Sequence, residues 1–239
     1  PRADRPSLSE AIRLPDGGIR IREMVPAGLL AREPQPVGKT GKRLMDVAVA
    51  SLALVLAAPA MLAIAVCIRA TGSGPIIFAH RRVGFSGRSF DCYKFRTMRT
   101  DAAAALEKHL AENPDAASEW RERKKLRHDP RVTSFGKLLR ISSLDELPQF
   151  INGRRGEMSC VGPRPVVAEE LQLYGAFADD YLNARPGITG LWQVSGRNSI
   201  DYAERVRLDS RYVRNWSLSR DLMIMLRTAF AVIRVDQTS

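Results

Sequence analysis

The sequence predicts an α+β fold that is membrane-associated and mostly helical. It includes a short β-hairpin or small sheet and an N-terminal re-entrant helix. Three observations predict this. Val47–Ile68 is a run of 22 uncharged residues, long enough to cross a bilayer. Residues 72–98 alternate turn signals with two short β-prone runs. The remainder is dominated by stretches with helix-start and helix-stop residues and amphipathic or charge-rich faces. The net charge of +11 calls for an anionic partner: lipid headgroups, a phosphate-bearing substrate or nucleic acid. Cys67, Cys92 and Cys160 are too few and too far apart for a disulfide framework or a Cys-x-x-Cys metal site. Three scattered histidines argue against a His-rich metal centre.

Residues 1–41 read as a poorly ordered arm, because prolines and glycines punctuate them and no apolar period is sustained. Residues 42–70 form the membrane segment. Pro59 lies near the middle of its apolar run and should kink a helix. Both flanks are basic, with Lys39, Lys42 and Arg43 before and Arg69, His80, Arg81 and Arg82 after. The positive-inside rule then puts both ends on the cytoplasmic side, which a helix that enters, bends and returns satisfies. A single span is the alternative. Residues 71–239 make a cytoplasmic domain with interfacial helices.

Within that domain, Pro75–Phe78 and Ser89–Phe95 are the expected strands, with Gly84–Gly87 as the turn. Lys94 and Arg96, two residues apart, share one face of a strand, as a phosphate clamp or a solvated basic edge. Asp101 should cap an Ala-rich helix, and Asn113-Pro114 should end it and start the next. Residues 121–140 hold eight Lys/Arg against two acids. They make a solvated face, a lipid-headgroup contact or an electrostatic funnel leading to Asp145. Ser143 and Glu146 have capping-box spacing, so a helix should start there, with Asp145 and Glu146 in its first turn. Such a start suits phosphate, and the two adjacent carboxylates point about 100° apart, so they cannot share one task. Pro148 fits the first turn imperfectly. Arg164, set between two prolines, is held extended as a pre-organised bidentate phosphate ligand or as part of a rigid turn. Glu169–Phe177 reads as a short amphipathic helix. The stretches around Arg185–Gly190 and Gly196–Asn198 read as glycine-punctuated loops that bring backbone amides near a ligand. Tyr202–Trp216 is a polar helix. Ser219 and Asp221 should cap a last, interfacial helix over Leu222–Val235.

Several motifs occur together and in order: the kinked apolar segment, Tyr93-Lys94-Phe95-Arg96-Thr97-Met98, Ser143-Leu144-Asp145-Glu146-Leu147-Pro148-Gln149, Gly162-Pro163-Arg164-Pro165, Arg185-Pro186-Gly187-Ile188-Thr189-Gly190 and Gly196-Arg197-Asn198. From about Lys42 to about Val235 the chain closely resembles the bacterial sugar transferases, the monotopic phosphoglycosyl transferases. Within them it looks most like the members that begin exopolysaccharide synthesis. The family often carries Ser-Pro at its kink, where this chain has Ala58-Pro59.

The resemblance implies transfer of a hexose-1-phosphate, galactose or glucose, from a UDP-sugar to undecaprenyl phosphate, with release of UMP. It implies Asp145 as the nucleophile, Glu146 as the Mg²⁺ ligand, and Lys94 and Arg140 as catalytic partners. Arg164, Pro165, Arg96, Arg185 and Arg197 are the expected substrate-binding residues. The bacterial inner membrane, on its cytoplasmic face, is the expected location. Membrane lipids are expected partners and nucleic acid is not, and a homo-oligomer is left open. Two other functions compete: a non-catalytic, basic, membrane-docked scaffold, and a Mg²⁺-dependent phosphohydrolase using the same carboxylates.

Overall fold

A computed structural model describes residues 35–123, 126–196 and 200–233. The expected arm lies outside these residues except for its end at 35–41, and so does Arg197. The longest element is α1, Lys39–Ala70, with Pro59 inside it. Its 32 residues extend about 48 Å along the helix path. Among the described residues it is the one helix long and apolar enough to cross a membrane. Its two ends dock on the rest of the protein and its middle does not. Lys42, Asp46 and Ala50 are buried at the start and Ile64 and Ile68 at the end. Between them Leu52, Val55, Leu56 and Leu62 are 60–72% exposed. The C-terminal end is closed by Arg96, whose guanidinium donates to the carbonyls of Ile68, Gly72 and Ser73. A cation suits that end of the helix dipole.

The expected hairpin is present as β1, Ile77–Val83, and β2, Ser89–Phe95, paired antiparallel from Ile77↔Phe95 to Val83↔Ser89. The first strand starts later and runs further than the apolar run suggested. The break at Asn113-Pro114 also holds, separating α2, Ala102–Glu112, from α3, Pro114–Arg123. Asp101 precedes α2 without capping it. Its carboxylate instead forms a two-pronged pair with Arg99, both bonds 2.8 Å. Next, α4, Ser134–Ile141, is capped by the Thr133 hydroxyl, which accepts from the Gly136 N–H at 2.9 Å. A short 3₁₀ turn, Leu144–Glu146, leads into α5, Gln149–Arg155.

A second sheet departs from the sequence reading. Strand β3, Ser159–Val161, pairs in parallel with β4, Gly187–Thr189, which lies inside the stretch read as a loop. Gly162 and Gly187 hide the strand, because their backbones touch. A Cβ on Gly187 would run into the Gly162 nitrogen and the Thr189 carbonyl. The expected Glu169–Phe177 helix is split into α6, Ala168–Leu171, and a 3₁₀ segment, Gln172–Phe177, because Gly175 adopts φ 52°, ψ −123°. After α7, Ala178–Leu182, and β4 comes α8, Leu191–Ser195. Helix α9, Tyr202–Arg214, is more amphipathic than its polar composition suggests, and buries Val206, Leu208, Tyr212 and Val213.

Helix α10, Leu218–Ile233, closes the described chain. Asp221, expected as its cap, is fully buried and pairs with Lys42 of α1 at 2.7 Å. The Tyr212 hydroxyl donates to the same carboxylate at 2.7 Å and the Trp216 indole N–H at 2.9 Å. Three elements are therefore joined at one charge. Leu222, Met223, Leu226 and Phe230 of α10 remain exposed, consistent with the interfacial reading of this helix.

Candidate active site

Ser143 does not close a capping box. It adopts the left-handed conformation, φ 57°, with no side-chain bond to the turn it precedes. That conformation costs a non-glycine residue about 1 kcal/mol or more. The twist places the two carboxylates differently. Asp145 is turned inward with its side chain 11% exposed, and Glu146 outward at 29%. Pro148 occupies the position before α5, where its missing N–H breaks no helical bond. This removes the misfit that a helix starting at Ser143 implies.

Lys94 reaches both acids from β2. Its Nζ lies 2.5 Å from Glu146 Oε1 and 4.0 Å from Asp145 Oδ2. The strand is held in place by Asn152 of α5, a wholly buried residue absent from the sequence reading. Its Oδ1 accepts from the Tyr93 N–H at 3.0 Å, and its Nδ2 donates to the Asp91 carbonyl at 2.8 Å. Both bonds fall on the β2 backbone just before Lys94 and hold that strand against α5. Nothing in Asn152's local sequence marks it, because the partners are some 60 residues away. On the other side, Arg140 of α4 donates from Nε to the Thr97 hydroxyl at 3.0 Å.

Burial is the main influence on Asp145 and raises its pKa above the usual carboxylate value. Lys94 is the strongest opposing influence, Glu146 adds to the rise, and Arg140 opposes it. The site therefore holds a carboxylate that is shielded from water, with two cations opposing the rise that burial causes.

A cavity opens beside this pair, lined by Arg82, Lys94, Glu146, Arg164, Pro165 and Gln193 among others. Of the expected substrate residues, Arg164 and Pro165 are in this wall. The Arg164 guanidinium also sits 5.9 Å from the centre of the Trp192 ring, which Arg205 approaches at 4.8 Å. Behind the Pro-Arg-Pro loop lies Asp209, buried and bonded by the Tyr174 hydroxyl at 3.0 Å. Arg185 and Arg96 are not in the wall. Arg185 donates to the Gly156 carbonyl at 2.8 Å, past the end of α5. Arg96, expected beside Lys94 on one strand face, lies beyond the end of β2 and serves α1. Arg82 is the wall cation not singled out as a ligand, since in sequence it looks like one more flanking charge of the membrane segment. Among the described residues no group of three His, Cys, Asp or Glu side chains is placed to hold a metal. Glu146 is the acid that lines the cavity, and Asp145 lies next to it in the chain, turned inward.

The description that matches this chain, over residues 37–235, is that of a bacterial sugar transferase. The chain belongs to the bacterial sugar transferase family. It is 52% identical over 198 residues to the exopolysaccharide production protein ExoY of Rhizobium meliloti, covering 83% of this chain and 88% of that protein. It is 47% identical to an undecaprenyl-phosphate galactose phosphotransferase of Salmonella typhimurium, over 82% of this chain and 41% of that larger protein. It is 40% identical to a UDP-glucose:undecaprenyl-phosphate glucose-1-phosphate transferase of Caulobacter vibrioides, over 82% of this chain and 70% of that protein.

Proposed function

We propose that this protein transfers a hexose-1-phosphate from a UDP-sugar to undecaprenyl phosphate, as the first membrane step of exopolysaccharide synthesis. Galactose and glucose are the candidate hexoses. The observation that carries this reading is the buried Asp145 carboxylate 4.0 Å from Lys94, a lysine that lines a cavity walled also by Arg82 and Arg164.

In the first half-reaction an Asp145 oxygen attacks the β-phosphorus, which bears the sugar. The bond from that phosphorus to the bridging oxygen breaks, and UMP leaves with the electron pair. A phosphosugar ester of Asp145 remains, so one difficult transfer becomes two easier ones. In the second, an oxygen of undecaprenyl phosphate attacks the same phosphorus and the carboxylate departs unchanged. Lys94, Arg82 and Arg164 hold the phosphate oxygens and oppose the charge that builds on them. Arg140 helps keep Asp145 ionised.

Mg²⁺ fits a site with Glu146 as its protein ligand, since this cation usually takes one or two carboxylates and completes its shell with water and substrate phosphate. Glu146 is partly exposed at the cavity, and Lys94, now on its Oε1, can turn to the phosphate. Bound there, the ion supplies charge neutralisation on the diphosphate.

The acceptor phosphate lies at the membrane surface, so the site must lie there too. Docking of both ends of α1 on one domain, with an exposed apolar middle, supports a re-entrant helix at the cytoplasmic face of the bacterial inner membrane. Purified protein supplied with UDP-galactose or UDP-glucose, Mg²⁺ and undecaprenyl phosphate should release UMP. Chelation of the metal should stop it. Sugar phosphate released without any lipid acceptor would instead identify a hydrolase, and lipid binding without turnover a scaffold.

A further inference from the structure

We propose that Gln193 reads the donor substrate: its side-chain carbonyl accepts a hydrogen bond from a neutral donor of the UDP-sugar, a sugar hydroxyl or the uracil ring N–H. The inference rests on the transfer reading above and adds a residue that the motif reading did not single out.

Gln193 lines the same cavity as Glu146, Lys94 and Arg164. Its Oε1 is shielded from solvent and has no hydrogen-bond partner. A buried acceptor left unpaired is costly, and native proteins retain few of them. A ligand donor arriving in the cavity removes that cost, so the orphaned oxygen favours binding as well as direction. The chemistry also selects the ligand group. A carbonyl oxygen repels a phosphate oxygen, and the wall already has three cations for phosphate. What remains of a UDP-sugar is its neutral hydroxyls and its imide.

The fold holds this side chain in place. Helix α8 starts after Gly190, and a Cβ at that position would lie 2.6 Å from Gln193 Oε1. The glycine thus leaves the space that the amide fills. The preceding residue, Trp192, is buried, with the Arg164 and Arg205 guanidinium groups over its ring. The acceptor is therefore tied to the same loop that supplies a phosphate ligand.

The test is steady-state kinetics of the full chain with UDP-hexose, inhibition by UDP, and thermal unfolding without ligand, for wild type and Gln193→Leu. The expected KM for UDP-hexose rises roughly 10- to 100-fold, as for the loss of one buried hydrogen bond. Unfolding of the ligand-free variant should occur at the wild-type temperature or above, because an unpaired acceptor has been removed. If inhibition by UDP is unchanged, the donor read is on the sugar; if it weakens in parallel, the donor is on the nucleoside. An unchanged KM, or a destabilised ligand-free protein with unchanged KM, overturns the proposal. Should Gln193→Leu not fold, Gln193→Met, of similar length and without the acceptor, gives the same readouts. Wild-type protein that releases no UMP from any UDP-hexose contradicts the transfer reading instead. Calorimetric binding of UDP-hexose and UDP to the two proteins then still decides the role of Gln193.

Discussion

Asp145 is under opposing influences: burial favours its protonated form, and Lys94 and Arg140 favour the carboxylate. The attacking species is the carboxylate, so the rate should rise with pH through a midpoint above the usual carboxylate value. Lys94 is the largest of the opposing influences, and Lys94→Met should move that midpoint higher as well as weaken binding of phosphate. A pH–rate profile of the two proteins checks this, and a midpoint that moves down contradicts the assignment of Lys94. Asp209 gives a second pH effect. Burial pushes its pKa from 3.8 to about 7, against the Tyr174 hydroxyl and the Arg164 backbone and charge. Between those values the folded chain holds a proton that the unfolded chain has released. Stability should therefore fall as pH rises from about 4 to about 7 and level off above. Asp209→Asn should flatten that slope in denaturation curves measured at several pH values. The residues to which the proposed chemistry is assigned drew notice because they are contiguous: Asp145-Glu146 and Pro163-Arg164-Pro165 stand out by spacing, and the family resemblance supplied their expected roles. Asn152 and Asp209 did not, because each is bonded to groups far away in the chain, and Gln193 did not, because its unpaired carbonyl and its place in the cavity wall exist only in the folded chain.

At the scale of elements, the hairpin, the break at Pro114 and the long apolar helix follow from local rules of turn chemistry and periodicity. The parallel pair β3–β4 does not, since its strands are three residues each and one is disguised by glycines needed for backbone contact. Gly187→Ala should destabilise the protein by on the order of 3 kcal/mol, measured by chemical denaturation. The capping signal at Ser143 also misled. Ser-x-x-Glu spacing predicts a reciprocal cap only if Glu146 is free to turn back, and Lys94 holds that carboxylate instead. Likewise Asp221 looks like a first-turn cap until Lys42, 179 residues earlier, is folded onto it. Lys42→Met would leave the Asp221 charge buried without its partner and should cost roughly 3–5 kcal/mol. Because the pair ties α1 to α10, the same change should loosen the base of α1, seen as faster amide exchange in its first turns.

For the whole molecule, the charge of +11 and the exposed apolar faces of α1 and α10 are features that suit an anionic membrane surface. A re-entrant α1 keeps both of its ends on one side. With Cys67 replaced by Ser, single cysteines introduced at Gly41 and at Thr71 should react with an impermeant maleimide from the same face of sealed vesicles. Reaction from opposite faces would show a single span. The proposed two-step transfer needs Asp145 on the side of the membrane where the acceptor's phosphate lies, which a re-entrant α1 would allow. The most direct measurement uses UDP-hexose labelled at the β-phosphorus, mixed with the protein and Mg²⁺ without undecaprenyl phosphate, then quenched and mapped by peptide mass spectrometry. The label should be bonded to the Asp145 side chain, be absent from Asp145→Asn, and leave when undecaprenyl phosphate is added before the quench. Label on another residue, or full turnover with no covalent adduct at any time, would contradict it.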